Sequence, residues 1–67
     1  MIKLEHYRKE KGMSIRQLSI ATGISRTYLT GIEEGIYENP GVKVICAICK
    51  VLNVTPNDII AEEYWSS

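Results

Sequence analysis

Residues whose side chains could make specific polar contacts are concentrated between positions 25 and 34. At helical spacing Thr27, Thr30, Gly31 and Glu34 fall on one side, and Arg26 stands beside them in the first turn. A face of short side chains with one arginine at its N-terminal end suits a helix that enters the major groove of DNA, where arginine can bond to base edges. The alternative is an ordinary solvated helix face, and this face alone does not separate the two.

Cys46 and Cys49 form a Cys-x-x-Cys motif, the other arrangement of reactive side chains in the chain. A structural zinc ion takes about four ligands, and His6 is the only histidine that could join the two thiols. A redox pair would need a helix N-terminus or nearby cations to lower the thiol pKa, whereas these cysteines lie mid-helix among apolar residues. We therefore expect cysteines packed in the core, a histidine at or near the surface, and no metal site.

Length and motif content limit the classes of function. No paired-carboxylate, Ser/His/Asp or phosphate-loop arrangement occurs, so we predict no enzyme, no cofactor and no small-molecule ligand. The 67 residues predict one domain, 1–67, with a short tail at about 63–67. The longest apolar run, Val44 to Cys49, is far shorter than a membrane span. No signal peptide is visible, so we expect a cytoplasmic protein.

The net charge is zero, but it is distributed unevenly along the chain. Residues 1–27 carry six basic and two acidic side chains, a balance of +4, and residues 28–67 carry two basic and six acidic ones, a balance of −4. Because phosphate binding depends on local cations, a basic end on a neutral protein is compatible with a nucleic-acid partner. It predicts modest affinity for non-specific DNA.

Two short helices with a tight turn between them must position the polar face. Ser14 can cap the first of these helices, with Gln17 reaching back to complete a capping box. Ser25 can cap the second in the same way. Gly23 follows the last residue of the first helix, where a left-handed backbone is common. The segment is predicted to form a helix-turn-helix.

The whole chain is predicted to be all-α, a compact bundle of five helices at about 2–11, 14–22, 25–34, 41–52 and 55–62. The fourth helix has two candidate caps, Asn39 followed by Pro40, or Gly41. Thr55 and Pro56 mark the start of the fifth. The apolar face of the fourth helix is predicted to comprise Val42, Ile45, Cys46, Ile48, Cys49 and Leu52.

Arg8 lies near the apolar stripe of the first helix, where a lone charge would be costly. Glu33, at the core edge of the third helix, is the obvious partner. We predict a largely buried ion pair that links these two helices.

At these residues the chain resembles the Cro/repressor-type (Xre-like) helix-turn-helix domain of phage repressors and their bacterial relatives, over roughly residues 4–60. The features that carry the resemblance are Leu18-Ser19, Gly23-Ile24-Ser25, Tyr28-Leu29, Ile32-Glu33 with Gly35, Pro40, the Ile45–Leu52 helix, Asn53-Val54-Thr55 and Asp58-Ile59.

The resemblance implies that the helix beginning at Ser25 is the recognition helix. The residues expected to face base edges or nearby phosphates are Arg26, Thr27, Thr30 and Gly31. The residues expected to contact phosphates are Ser14, Arg16, Ser25, Tyr28, Tyr37, Asn39 and Lys43, although the lysine could simply be solvated. The resemblance also implies the pairing of Arg8 with Glu33, in agreement with the desolvation argument above.

Three positions depart from the family pattern. Ile15 stands where many members have a polar phosphate-contacting residue, and Ser19 replaces the usual alanine at a close helix contact. The loop at 36–39, often basic in relatives, is not basic here.

Two functions are compatible with the sequence. The first is a sequence-specific transcriptional regulator, a repressor that binds double-stranded DNA as a homodimer at a near-palindromic operator. The second is a protein-interaction module of the same fold, an antitoxin or antirepressor partner, with weak or no DNA recognition. The acidic C-terminal half favours the second function, and Arg16, Arg26 and the small-residue face favour the first.

A dimer interface is predicted on the fifth helix and the segment after it. Ile59, Ile60, Tyr64 and Trp65 supply apolar and aromatic surface there, and aromatic residues are favoured anchors of interfaces. The alternative is that Trp65 folds back onto its own core.

Overall fold

The computed structural model describes residues 3–37 and 40–60. Five helices occupy these ranges: α1 Leu4–Glu10, α2 Ile15–Thr22, α3 Arg26–Glu33, α4 Val42–Leu52 and α5 Pro56–Ile59. Apart from one isolated bridge residue, Ile60, the two ranges contain no strand. The predicted all-α fold with five helices is confirmed. The predicted end of the fifth helix at 62 is wrong, because Ile60 has extended backbone angles and the helix ends at Ile59.

The starts of α2 and α3 are fixed by the serines that the sequence indicated. The Ser14 hydroxyl accepts a bond from the Gln17 backbone N–H at 3.0 Å, and the Gln17 side chain accepts one from the Ser14 N–H at 2.8 Å. Ser25 accepts from the Tyr28 N–H at 3.2 Å. Gly23 ends α2 with φ of +75°, a left-handed conformation that glycine adopts without a steric penalty.

The side chain of Ser19, which stands where the family usually has alanine, stabilises the turn between α2 and α3. Its hydroxyl donates to the carbonyl of Ile24 at 2.5 Å, across the turn. Thr22 adds a second bond, since its hydroxyl oxygen accepts from the Ile24 N–H at 3.2 Å. The Ser19 hydroxyl, which the usual alanine lacks, therefore has a hydrogen-bond partner. Both bonds restrain the backbone of the turn between the two helices.

A single cluster of buried side chains, with contributions from every helix, forms the core of the described residues. α2 packs against α3 and α4, α4 packs against α5, and α1 packs against α3. The buried members are Leu4, Leu18, Leu29, Ile32, Ile48, Cys49, Leu52 and Ile59. The inner side of α3 thus packs into this core, with α1 and α2 as its neighbours, and its outer side is left exposed.

The apolar face of α4 is narrower than predicted. Gly41 is its N-cap, whereas the alternative cap, Asn39, lies outside the described residues. The prediction is wrong for Val42, which is 77% exposed, and for Cys46, which was expected in the core but is exposed, because both stand on the outer side of the helix. Cys49 packs in the core as expected, and burial raises the pKa of its thiol.

The end of α5 is tied to the start of α1. The Lys3 N–H donates to the Ile59 carbonyl at 2.6 Å. At the N-terminus of α5, Thr55 and Asp58 form a capping box. The hydrogen bonds from Thr55 lower the pKa of the Asp58 carboxyl. No helix of the described ranges is long and apolar enough to cross a membrane.

Candidate nucleic-acid interface

An open groove runs between the N-terminus of α2 and the outer face of α3. It brings together polar residues that are about ten positions apart in sequence, including Ser14 and Arg16 on one side and Arg26, Thr27 and Thr30 on the other. The full lining comprises Ser14, Ile15, Arg16, Arg26, Thr27, Thr30, Gly31, Glu34, Ile36 and Tyr37. The predicted base-facing residues and three of the predicted phosphate contacts, Ser14, Arg16 and Tyr37, therefore share one surface.

The electrostatics of this groove favour an anionic partner. Arg16 and Arg26 are exposed and stand in the first turns of α2 and α3. Neither of these first turns contains an acidic residue, and a helix N-terminus carries a partial positive charge. The two arginine side chains and the partial positive charges of the two helix N-termini therefore lie together beside the groove. Among the described lining residues, Glu34 is the only carboxylate.

Gly31 lies in the groove lining, on the side of α3 predicted to face base edges or nearby phosphates. Gly31 is buried, because the ring of Tyr37 lies directly on it. A Cβ atom at this position would be 2.7 Å from Cδ2 of that ring, closer than real Cβ atoms come to any atom. The sequence pattern had placed Gly31 on the correct side of α3, but it could not show that a residue from the following loop covers it.

Tyr37 is held on α3 by the backbone as well as by its ring. The N–H groups of Ile36 and Tyr37 both donate to the Gly31 carbonyl, at 2.8 and 3.4 Å. The ring also packs against Tyr28, with the centroids 4.8 Å apart. The loop after α3 therefore folds back on the helix, and about two fifths of the Tyr37 side chain stays exposed at the rim of the groove.

The remaining predicted phosphate contacts lie outside the groove lining. Ser25 is exposed at the start of α3, Tyr28 is half-buried beneath Tyr37, and Lys43 is exposed in the first turn of α4. Asn39 lies outside the described residues. Conversely, three lining residues were not predicted as contacts, namely Ile15, Glu34 and Ile36. The outward side of α3 at helical spacing includes Glu34, so the sequence contained a signal for that residue.

The predicted pair of Arg8 and Glu33 is present and fixes the position of α3. Arg8 Nε and Nη2 donate to the two carboxylate oxygens at 2.6 and 3.1 Å. Its Nη1 donates to the Met13 carbonyl, just before α2, at 2.8 Å. The side chains are only 12% and 7% exposed, and the bonds to Glu33 raise the pKa of the guanidinium further. One arginine thus joins α1, the α1–α2 turn and the end of α3.

Several known proteins are similar to this chain. The HTH-type transcriptional regulator SlrR of Bacillus subtilis (strain 168) is 39% identical over 57 residues, which are 85% of this chain and 38% of SlrR. The HTH-type transcriptional regulator SinR of the same organism is 31% identical over 62 residues, 92% of this chain and 56% of SinR. The chain therefore spans about two fifths to just over half the length of these relatives.

Solved structures of SinR have the same fold. The crystal structure of SinR in complex with DNA matches with a TM-score of 0.78 at 33% identity, covering 81% of this chain and 86% of that one. The SinR/SinI complex matches with a TM-score of 0.83 at 30% identity, covering 96% of this chain and 62% of that one. The helix-turn-helix family profile matches residues 4–59, more than half of the chain. The chain therefore belongs to the helix-turn-helix family.

Proposed function

We propose that this protein is a sequence-specific DNA-binding transcriptional regulator, acting as a repressor and without catalytic activity. The observation that carries the proposal is the groove in which Arg16 and Arg26 flank the outer face of α3. Its relatives SlrR and SinR are transcriptional regulators, and SinR has been solved with DNA, which supports the same role for this chain.

In the proposed complex, α3 enters the major groove and its N-terminal residues contact base edges. Arg26 bonds to O6 and N7 of a guanine, and Thr27 and Thr30 contact thymine methyl groups. Ser14 and Arg16, at the start of α2, contact phosphates on one side. The residues proposed for further phosphate contacts are Ser25, Tyr28, Tyr37, Asn39 and Lys43.

Selection from a pool of randomised duplexes, followed by binding titrations, tests the proposal. A DNA-binding regulator enriches one sequence motif and binds it with a Kd at least about 10³-fold lower than random DNA at the same salt concentration. Equal affinity for selected and random DNA would contradict the proposal.

Arg26→Ala is expected to cost about 1–3 kcal/mol in binding to the selected site and to remove the preference for guanine at one position per half-site. The reason is that alanine cannot supply the two donors that distinguish guanine from the other bases. Binding titrations with all four bases at that position measure both effects. If affinity falls equally for all four, Arg26 contacts a phosphate instead.

Arg16→Ala is the matched comparison, since it removes the same side chain from the other wall of the groove. We expect a similar loss of affinity for every sequence, with the motif unchanged. The slope of log K against log salt concentration should become less negative by about 0.9, the contribution of one phosphate contact.

We also propose that the protein binds a near-palindromic operator as a homodimer, with two copies of α3 about 34 Å apart. Of the residues predicted for the interface, Ile59 is fully buried in the core of its own domain and is excluded from it. Ile60 is only partly buried, and Tyr64 and Trp65 lie outside the described residues. The interface proposed here comprises Ile60 and the two aromatic residues.

Sedimentation between nanomolar and micromolar concentration is expected to show a dimer that dissociates on dilution, with the emission of Trp65 shifting over the same range. The emission shifts because an indole leaves an apolar interface for water. A monomer at high micromolar concentration, both free and on its selected DNA, would contradict the dimer. Trp65→Ala should lower the dimerisation affinity without lowering the melting temperature of the monomer.

A second candidate function is a protein-interaction module of the same fold. The match to the SinR/SinI complex, in which a relative is bound to another protein, favours it. Ile20 and Val42 offer large exposed apolar side chains that do not line the groove. A folded protein that enriches no DNA motif would support this function over the first.

A further inference from the structure

Glu34 lies at the C-terminal end of the outer face of α3. It follows Thr27 by seven residues, which is close to two helical turns, so both lie on the same side of the helix. Glu34 is exposed and lines the groove together with Arg26 and Thr30. The Glu34 backbone N–H donates to the Thr30 carbonyl at 2.9 Å, so Glu34 continues the hydrogen-bond pattern of the last turn of α3.

Protein stability does not account for a carboxylate at this position. Glu34 is the C-cap of α3, where the helix dipole is unfavourable for a negative charge. Within the described ranges, no lysine, arginine or histidine nitrogen lies within 4 Å of its carboxylate. Departures from local sequence preferences are expected at functional or strained sites, and the carboxylate of Glu34 is such a departure.

A carboxylate that faces DNA is repelled by the phosphates, so it needs a hydrogen-bond donor on a base edge to offset the repulsion. In the major groove the N4 amino group of cytosine is the donor that pairs with glutamate or aspartate. Guanine and thymine present no hydrogen-bond donor in this groove, and adenine presents its N6 donor beside the acceptor N7, which repels a carboxylate. We propose that Glu34 determines specificity by accepting a hydrogen bond from a cytosine, an inference that rests on the proposed DNA-binding function.

The position of this cytosine follows from the length of the helix. Eight residues separate Arg26 from Glu34, which corresponds to about 12 Å along the axis of α3 at 1.5 Å per residue. At about 3.4 Å per base pair this distance spans three to four base pairs. Because this is the limit for a helix axis parallel to the DNA axis, we expect the guanine bonded by Arg26 and the cytosine bonded by Glu34 to lie no more than about four base pairs apart.

The substitution Glu34→Gln tests the inference, because glutamine has nearly the same shape but pairs with N6 and N7 of adenine. Selection from randomised duplexes is carried out with both proteins, followed by titration of the four bases at each position. The wild type should prefer cytosine at one position by about 5- to 150-fold. In the variant the preference at that position should change to adenine, with the rest of the motif unchanged.

Glu10→Gln is the control, since it removes one negative charge from α1, outside the groove lining. It should alter affinity for all sequences alike and leave the cytosine preference intact. A motif that is identical in wild type and Glu34→Gln, whether or not affinity rises, would overturn the inference while leaving the proposed function standing. If the wild type itself enriches no motif, the proposed function fails, and the inference fails with it.

Discussion

Arg8→Ala and Glu33→Ala are each expected to lower the free energy of unfolding by about 3–5 kcal/mol. Each substitution leaves the opposite charge in a site that is about nine-tenths buried, without its two hydrogen bonds. Arg8→Ala also removes the donor to the Met13 carbonyl. Because a domain of this size rarely has more than about 3–5 kcal/mol of stability, both variants should be largely unfolded at room temperature.

Thermal and urea denaturation followed by circular dichroism measure this effect. Glu5→Ala is the control, since its pair with Lys9 is exposed and should contribute less than about 1 kcal/mol. A double variant with Arg8→Met and Glu33→Leu should recover much of the lost stability, because no uncompensated charge remains. Wild-type melting of either single alanine variant would show that the pair does not stabilise the fold.

Ile59→Ala is expected to cost about 2–5 kcal/mol of stability, as is typical when a fully buried isoleucine is truncated. Ile59 is 1% exposed and is the one residue of α5 in the buried core. Its carbonyl also receives the bond from Lys3, so loosening α5 would release the start of α1. Denaturation at two protein concentrations separates this loss from the loss of a dimer contact.

A core residue gives the same loss of stability at both concentrations, whereas an interface residue gives a loss that grows with concentration. Ile60→Ala is the natural comparison, because Ile60 is adjacent in sequence but only partly buried. We expect it to cost less than Ile59→Ala at low concentration. Equal losses for the two variants at low concentration would contradict the assignment of Ile59 to the core.

The sequence predicted the helices and their starts well because these depend on neighbouring residues. The capping boxes at Ser14 and Thr55 and the left-handed Gly23 are formed by residues within a few positions of one another. The pair of Arg8 and Glu33 is separated by 25 residues, but the cost of an unpaired charge near the core still indicated it.

Other features depend on how whole elements pack, and the sequence did not reveal them. Val42 fits the apolar period of α4, yet it is exposed because the neighbouring helices cover only one side of that helix. Ile59 was predicted to lie in an interface but is buried in the core. Its burial depends on how the one-turn helix α5 docks on the other helices, which the local sequence pattern does not specify. The contact of Tyr37 with Gly31 requires the path of a loop, which composition alone leaves undetermined.

The seating of Tyr37 on Gly31 restricts how this surface can change its target. Any side chain introduced at residue 31 alone meets the aromatic ring, so single substitutions there will displace the Tyr37 side chain. A library that varies only the outer positions of α3 would therefore miss solutions that need a smaller residue at 37. Substitutions at residues 31 and 37 are therefore expected to be coupled, so redesign of this surface must vary the two positions together.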